Sequence, residues 1–102
     1  VTTLIGSNGC EAISVCIQAD GKIVVGGYYN KGGSIDHFAI ARYTNAGTLD
    51  STFGTNGMIM EDIGDKSEIK AISIQPNDKK IVAAGISSWG GQYKYTIARY
   101  WP

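Results

Sequence analysis

The chain has 102 residues, 43% of them apolar and only 18% charged, which suits one packed domain or two large repeats and excludes a disordered tail. Nine basic and nine acidic residues cancel, which argues against the Lys/Arg excess of a nucleic-acid binder. The longest apolar run, "IVVGG" from Ile23 to Gly27, is far short of the roughly 18 residues that cross a bilayer, so no membrane insertion is expected.

The opening letters are "VTTLI", with no basic and apolar leader, so no signal peptide is expected. "AISVCIQ" follows, alternating Ile13, Val15 and Ile17 against Ala12, Ser14 and Cys16, which predicts a strand over 11–18 with both faces covered. "ADGK" is a tight hairpin turn, because Asp-Gly tolerates the positive φ that such turns need. "KIVVGGYY" predicts a second strand over 22–28, and "HFAIARY" a third over 37–43 after a Gly-rich loop. The polar stretch "TNAGTLDSTFGTNG", anchored by Leu49 and Phe53, leads to "MIMEDI" and a fourth strand over 57–62. Three more strands are expected over 68–75, 80–86 and 94–101, with "PNDK" as the looser turn. No window has a helical apolar period, and fourteen glycines against two prolines suit tight turns between strands.

The chain repeats itself. "FAIARY" at Phe38 returns as "YTIARY" at Tyr95, an offset of 57. Glu11 falls on Glu68 and "VCIQ" on "ISIQ" at the same offset, while "DGKIVVGG" meets "DKKIVAAG" at 58. Repeats of this length indicate a solenoid or a propeller. Four antiparallel strands per unit indicate propeller blades. "IQADGKIVVGG", "FAIARYTNAGTLDSTFGTNG", "IQPNDKKIVAAG" and "TIARY" together resemble the delta-60 repeat family of bacterial propeller-type repeats. The departures are Ala19, where such repeats usually carry Pro, and "NDKK" where "DGK" is usual. The resemblance covers nearly the whole chain and implies a secreted or surface location.

The expected fold is therefore all-β. Blade 1 spans about 11–62, blade 2 about 68–102, and the whole of 1–102 is one two-blade unit. Shifted by 57, Val1 falls on Met58, so Val1, Thr2, Thr3, Leu4 and Ile5 read as an outer strand with no blade before it. The second blade stops after its third strand and lacks a fourth. Two blades cannot close a propeller, which needs about four to eight. The expectation is that the spare strand of one chain pairs beside Ile97, Arg99 and Trp101 of another. Such a head-to-tail contact gives a ring if the rotation closes and a filament if it does not; a trimer is favoured over a tetramer. The alternative is a piece cut from a longer array.

Few residues point to chemistry. Cys10 and Cys16, six residues apart on an extended strand, are some 20 Å apart, too far for a disulfide, and read as free thiols with Cys16 buried. His37 has no catalytic neighbour in the sequence and reads as a surface or turn residue. Arg42 and Arg99, equivalent in the repeat, read as structural partners of Glu11, Glu68, Asp50 or a backbone carbonyl. Asp50 reads as an Asx cap of its own turn. No enzyme, metal or cofactor is expected. The candidate binding residues are Tyr29, Asn30, Trp89, Gln92 and Tyr93, in loops expected on one propeller face. Aromatic platforms beside amides suit a lectin-like role toward a glycan or a peptide.

Overall fold

The computed structural model describes residues 1–102 as seven strands in two antiparallel sheets, with no helix. The first sheet holds β1 (Cys10–Ile17), β2 (Ile23–Gly32), β3 (Ile35–Tyr43) and β4 (Met58–Glu61), in that order. The second holds β5 (Lys66–Ile74), β6 (Ile81–Trp89) and β7 (Gln92–Tyr100). The expected all-β class and the order of strands in each repeat are therefore observed, as four strands and three.

The hairpins are tighter than the sequence suggests. β2 runs on to Gly32 and β3 begins at Ile35, leaving Gly33 and Ser34 as the connection; β6 and β7 are joined by Gly90 and Gly91 alone. Gly90 and Gly91 have φ of 59° and 84°, the paired left-handed conformation of a primed two-residue turn. The Gly-rich loops expected in these places are thus mostly strand.

Both sheets carry the same irregularity. The register between β1 and β2 shifts between Ala12 and Ser14, and that between β5 and β6 shifts between Ile69 and Ala71. Opposite each bulge is a glycine with no room for a side chain. A Cβ would stand 1.9 Å from the Glu11 carbonyl oxygen at Gly27, and 2.0 Å from that of Glu68 at Gly85. The glycines of "VVGG" and "AAG" are therefore set by backbone approach at a bulge.

The core lies between the sheets. Val24, Phe38, Ile40 and Phe53 of the first meet Ile69, Ile72, Ile81 and Ala83 of the second. Gly26 lets the sheets approach, since a Cβ there would come within 2.6 Å of Ile72 Cγ2. Three hydrogen bonds span the gap. The Phe38 N–H donates to Ser67 Oγ and the Ile72 N–H to Ser14 Oγ, each at 3.1 Å; Tyr100 Oη donates to Glu61 Oε1 at 2.8 Å.

Residues 1–5 pair with no strand of their own chain and lie on the outer face of the first sheet, anchored by Ile5. Two expectations need correction. His37 is only 3% exposed, because β3 starts two residues earlier than expected and carries it inside the sheet. Cys16 is half-buried beside the core, and burial pushes its thiol pKa up. Both cysteines are free, as the spacing required.

Ile81→Ala, which empties a fully buried core position, is expected to cost about 2–5 kcal/mol in urea titration. Gly85→Ala adds one carbon yet should also destabilise, through its clash with the Glu68 carbonyl; unchanged unfolding midpoints would contradict the bulge geometry.

Candidate functional site

The aromatic and amide residues of the candidate binding face are used locally. Tyr29 packs its ring with Ile5, Ala39 and Ala41 and donates its hydroxyl to the Asp62 carboxylate, which also pairs with Lys31. Burial first, then that hydrogen bond, push the Tyr29 pKa up to about 12. Lys31 foremost, with Tyr29, holds the Asp62 carboxyl below its usual range. His37 lies 6.2 Å from the Tyr29 ring, and its Nδ1 has no hydrogen-bond partner.

Asn30 ties down its own hairpin, donating to the Gly33 carbonyl and to Asp36 Oδ1 at 3.1 and 3.0 Å and accepting the Gly32 N–H at 2.9 Å. Trp89 donates its indole N–H to Ser87 Oγ at 2.8 Å. Gln92 and Tyr93 are exposed at the start of β7, with the Lys66 ammonium 5.8 Å from the Tyr93 ring centroid. Asn30 and Tyr93 line different clefts, the latter about 130 Å³ and edged by Asp36, Lys66 and Glu68. These five residues do share one end of the molecule, where Asn30 N–H bonds Gly9 and Asp65 N–H bonds Ser88. They do not converge on one platform.

Arg42 is the best-held charge. Its Nε donates to Asp50 Oδ2 at 2.9 Å, and its guanidinium carbon stands 4.5 Å from the Phe53 ring centroid. Further contacts reach Gln18 and Thr52. Lys22 reaches the same Asp50 oxygen at 3.1 Å. Asp50 Oδ1 accepts the Thr52 hydroxyl and N–H at 2.6 and 3.1 Å, so the Asx cap and the Arg42 pair are one cluster. These contacts, the Thr52 hydroxyl foremost, hold the Asp50 carboxyl well below the carboxylate range. Arg99, its repeat equivalent, reaches only Gln75 at 3.5 Å and is exposed. No group of three or more His, Cys, Asp or Glu side chains is placed to hold a metal ion.

The largest cavity, about 480 Å³, lies between residues 1–5 and the outer face of the first sheet, against Val25, Ala39, Ala41 and Tyr43. Thr3 accepts the Tyr43 hydroxyl at 2.6 Å, and Cys10 Sγ contacts the Thr3 carbonyl and the Ile5 N–H. At the other end of the molecule β7 has one unpaired edge. It carries Tyr95 at 99% exposure, Ile97 at 72% and, just beyond it, Trp101, over whose ring the Lys80 ammonium stands at 4.1 Å.

The two ends are related by the repeat. Ile5-Gly6 reappears as Ile63-Gly64, with φ of 73° and 66° at the glycines. The Tyr43–Thr3 bond reappears as the Tyr100–Glu61 bond. Residues 1–5 therefore lie on the first sheet as the end of β4 and the residues after it lie on the second. The offset here is 58, so Val1 corresponds to Ile59 rather than Met58; the signal was the "IG" pair, masked by one extra residue in "GSNGC".

One family's sequence profile, described as a beta-propeller domain of unknown function (DUF5122), matches residues 18–53. The match runs from Gln18 through β2 and β3 to Phe53. It supports a β-propeller type of repeat. It does not single out the delta-60 repeat. No curated protein and no solved structure matches the chain. The two antiparallel sheets are consistent with propeller blades, and Arg42 and Asp50 clamp the turn that follows β3.

Because the Asp50 pKa is depressed on folding, its contribution is present above the unfolded value of about 3.9 and is lost as pH falls through the folded one. Asp50→Asn should therefore melt earlier than the parent at neutral pH, with the gap narrowing as pH drops below about 4. Equal melting temperatures at pH 7 would remove the cluster from the stability account.

Proposed function

We propose that the chain is a non-enzymatic structural and interaction scaffold: a two-blade propeller unit of the delta-60 kind whose copies join head to tail. The first sheet has four strands and the second three, and the exposed edge of β7 offers unpaired backbone N–H and C=O groups. In the proposed assembly residues 1–5 of a second copy supply the fourth strand. One observation supports the reading above the others: Thr3 accepts from Tyr43 as Glu61 accepts from Tyr100, the contact that the end of a preceding blade's outer strand would make.

The energetics favour such a joint. Four or five backbone hydrogen bonds at roughly 0.5–1.5 kcal/mol each would form, and Val1 and Leu4, both well exposed in the single chain, would gain cover. A head-to-tail contact uses two different surfaces, so it propagates until it closes. Three copies give six blades and four give eight, both within the range of closed propellers. The trimer is the favoured ring. The resemblance to the delta-60 repeat carries the further reading of a secreted or surface location.

Native mass spectrometry is expected to give the mass of three chains. Deleting residues 1–4, which keeps the Ile5 anchor, should give single chains with an unchanged circular dichroism spectrum. A parent protein that is monomeric at high micromolar concentration would overturn the proposal, as would a deletion variant that still assembles.

A further inference from the structure

We propose that the exposed face of the second sheet seats on the exposed face of the first sheet of another copy, with Tyr95 and Ile97 filling the cavity beneath residues 1–5. This rests on the self-assembly reading and names the surface that strand exchange alone leaves open.

The argument comes from the interface already inside the chain. Phe38 and Ile40 are buried between the sheets, at 1% exposure each. Their repeat equivalents, 57 residues on, are Tyr95 and Ile97, the exposed aromatic and aliphatic of β7. On the opposing side, Ile69, Ile72 and Ala83 correspond to Ala12, Val15 and Val25 of the first sheet. Val15 is 60% exposed and Val25 lines the 480 Å³ cavity together with Ala12. Each exposed member of one face thus matches a residue that the chain buries elsewhere against the counterpart of the other.

The substitutions between repeats also compensate in volume. Inside the chain Gly26 faces Ile72 and Ile69, with no room for a Cβ. Its equivalent on the second sheet is Ala84, which adds a methyl; the residues it would face, Val15 and Ala12, are smaller than Ile72 and Ile69 by one carbon and three. A bulkier residue on one face meets lighter ones on the other, as close packing demands. The polar link recurs as well. Ser67 Oγ, acceptor of the Phe38 N–H, corresponds to Cys10, whose half-buried sulfur would face the Tyr95 N–H of the second copy. The occupant that fits is therefore another copy of this chain, in the register of the internal interface.

Covalent trapping tests this. Cys10→Ser and Cys16→Ser give a background the fold accepts, since the second repeat carries Ser67 and Ser73 in those places. Val15→Cys and Ala84→Cys are then added. The two positions lie on opposite outer faces of a two-sheet stack with sheets about 10 Å apart, beyond the roughly 7 Å between Cα atoms that a disulfide spans, so any bridge joins two chains. Mild oxidation is expected to give a covalent ladder that ends at the ring. Ile97→Asp, an exposed substitution, should weaken association about 30-fold or more, the size of an interface hot spot, with the circular dichroism spectrum unchanged. If the parent assembles but no bridge forms and Ile97→Asp assembles as well, face seating is overturned and strand exchange alone stands. A monomeric parent overturns both.

Discussion

The contact between the two sheets is the interaction on which the molecule depends. Phe38 and Ile40 reach into a layer of Ile69, Ile72, Ile81 and Ala83, and Gly26 allows that reach by removing the one side chain that would hold the sheets apart. Two serine hydroxyls accept backbone N–H groups across the gap, so the polar backbone facing the seam is satisfied where it would otherwise cost stability. Neither sheet alone could bury a comparable apolar layer, since each presents it on the face turned to the other. The arrangement is modular: each sheet packs on the other through one face and turns its second face outward.

Much of this was legible in the sequence because the repeat is written twice. The order of strands, the absence of helix and the equivalence of "FAIARY" and "YTIARY" came from pattern alone. What the letters hid was phase. Strict alternation through 12–17 groups Ile13 with Val15 and Ile17, but the bulge after Ala12 inserts Ile13 as an unpaired residue and puts Ala12 on the face of Val15. Its repeat counterpart is the exposed Lys70, a hint that this position faces solvent. The short connections were hidden for a related reason: glycines that look like a floppy loop serve as two-residue turns between long strands.

The candidate residues divide along the same line. Arg42 and Asp50 were recognisable as structural because a repeat equivalent and a turn signature framed them. Tyr29, Asn30 and Trp89 looked like a display because they are polar-tipped and lie near glycines, yet each spends its polar atom on a neighbour: Asp62, Asp36 and Ser87 in turn. A strand that starts at Ile35, two residues before the histidine, carries His37 inside the sheet, where a start at the histidine itself would leave it at the surface. The anchoring of residues 1–5 depends on contacts forty residues distant, such as Thr3 with Tyr43, which no local pattern reveals.

The unequal strand count has a thermodynamic consequence. The first sheet has four strands, whereas the second has three and leaves one side of β7 unpaired. A species that binds only the folded form stabilises it by mass action. On the self-assembly reading, the melting temperature is therefore a function of how much protein is in the tube: dilution loosens the three-stranded half first. Fusing further repeats in one polypeptide would make the same resistance to heat independent of dose.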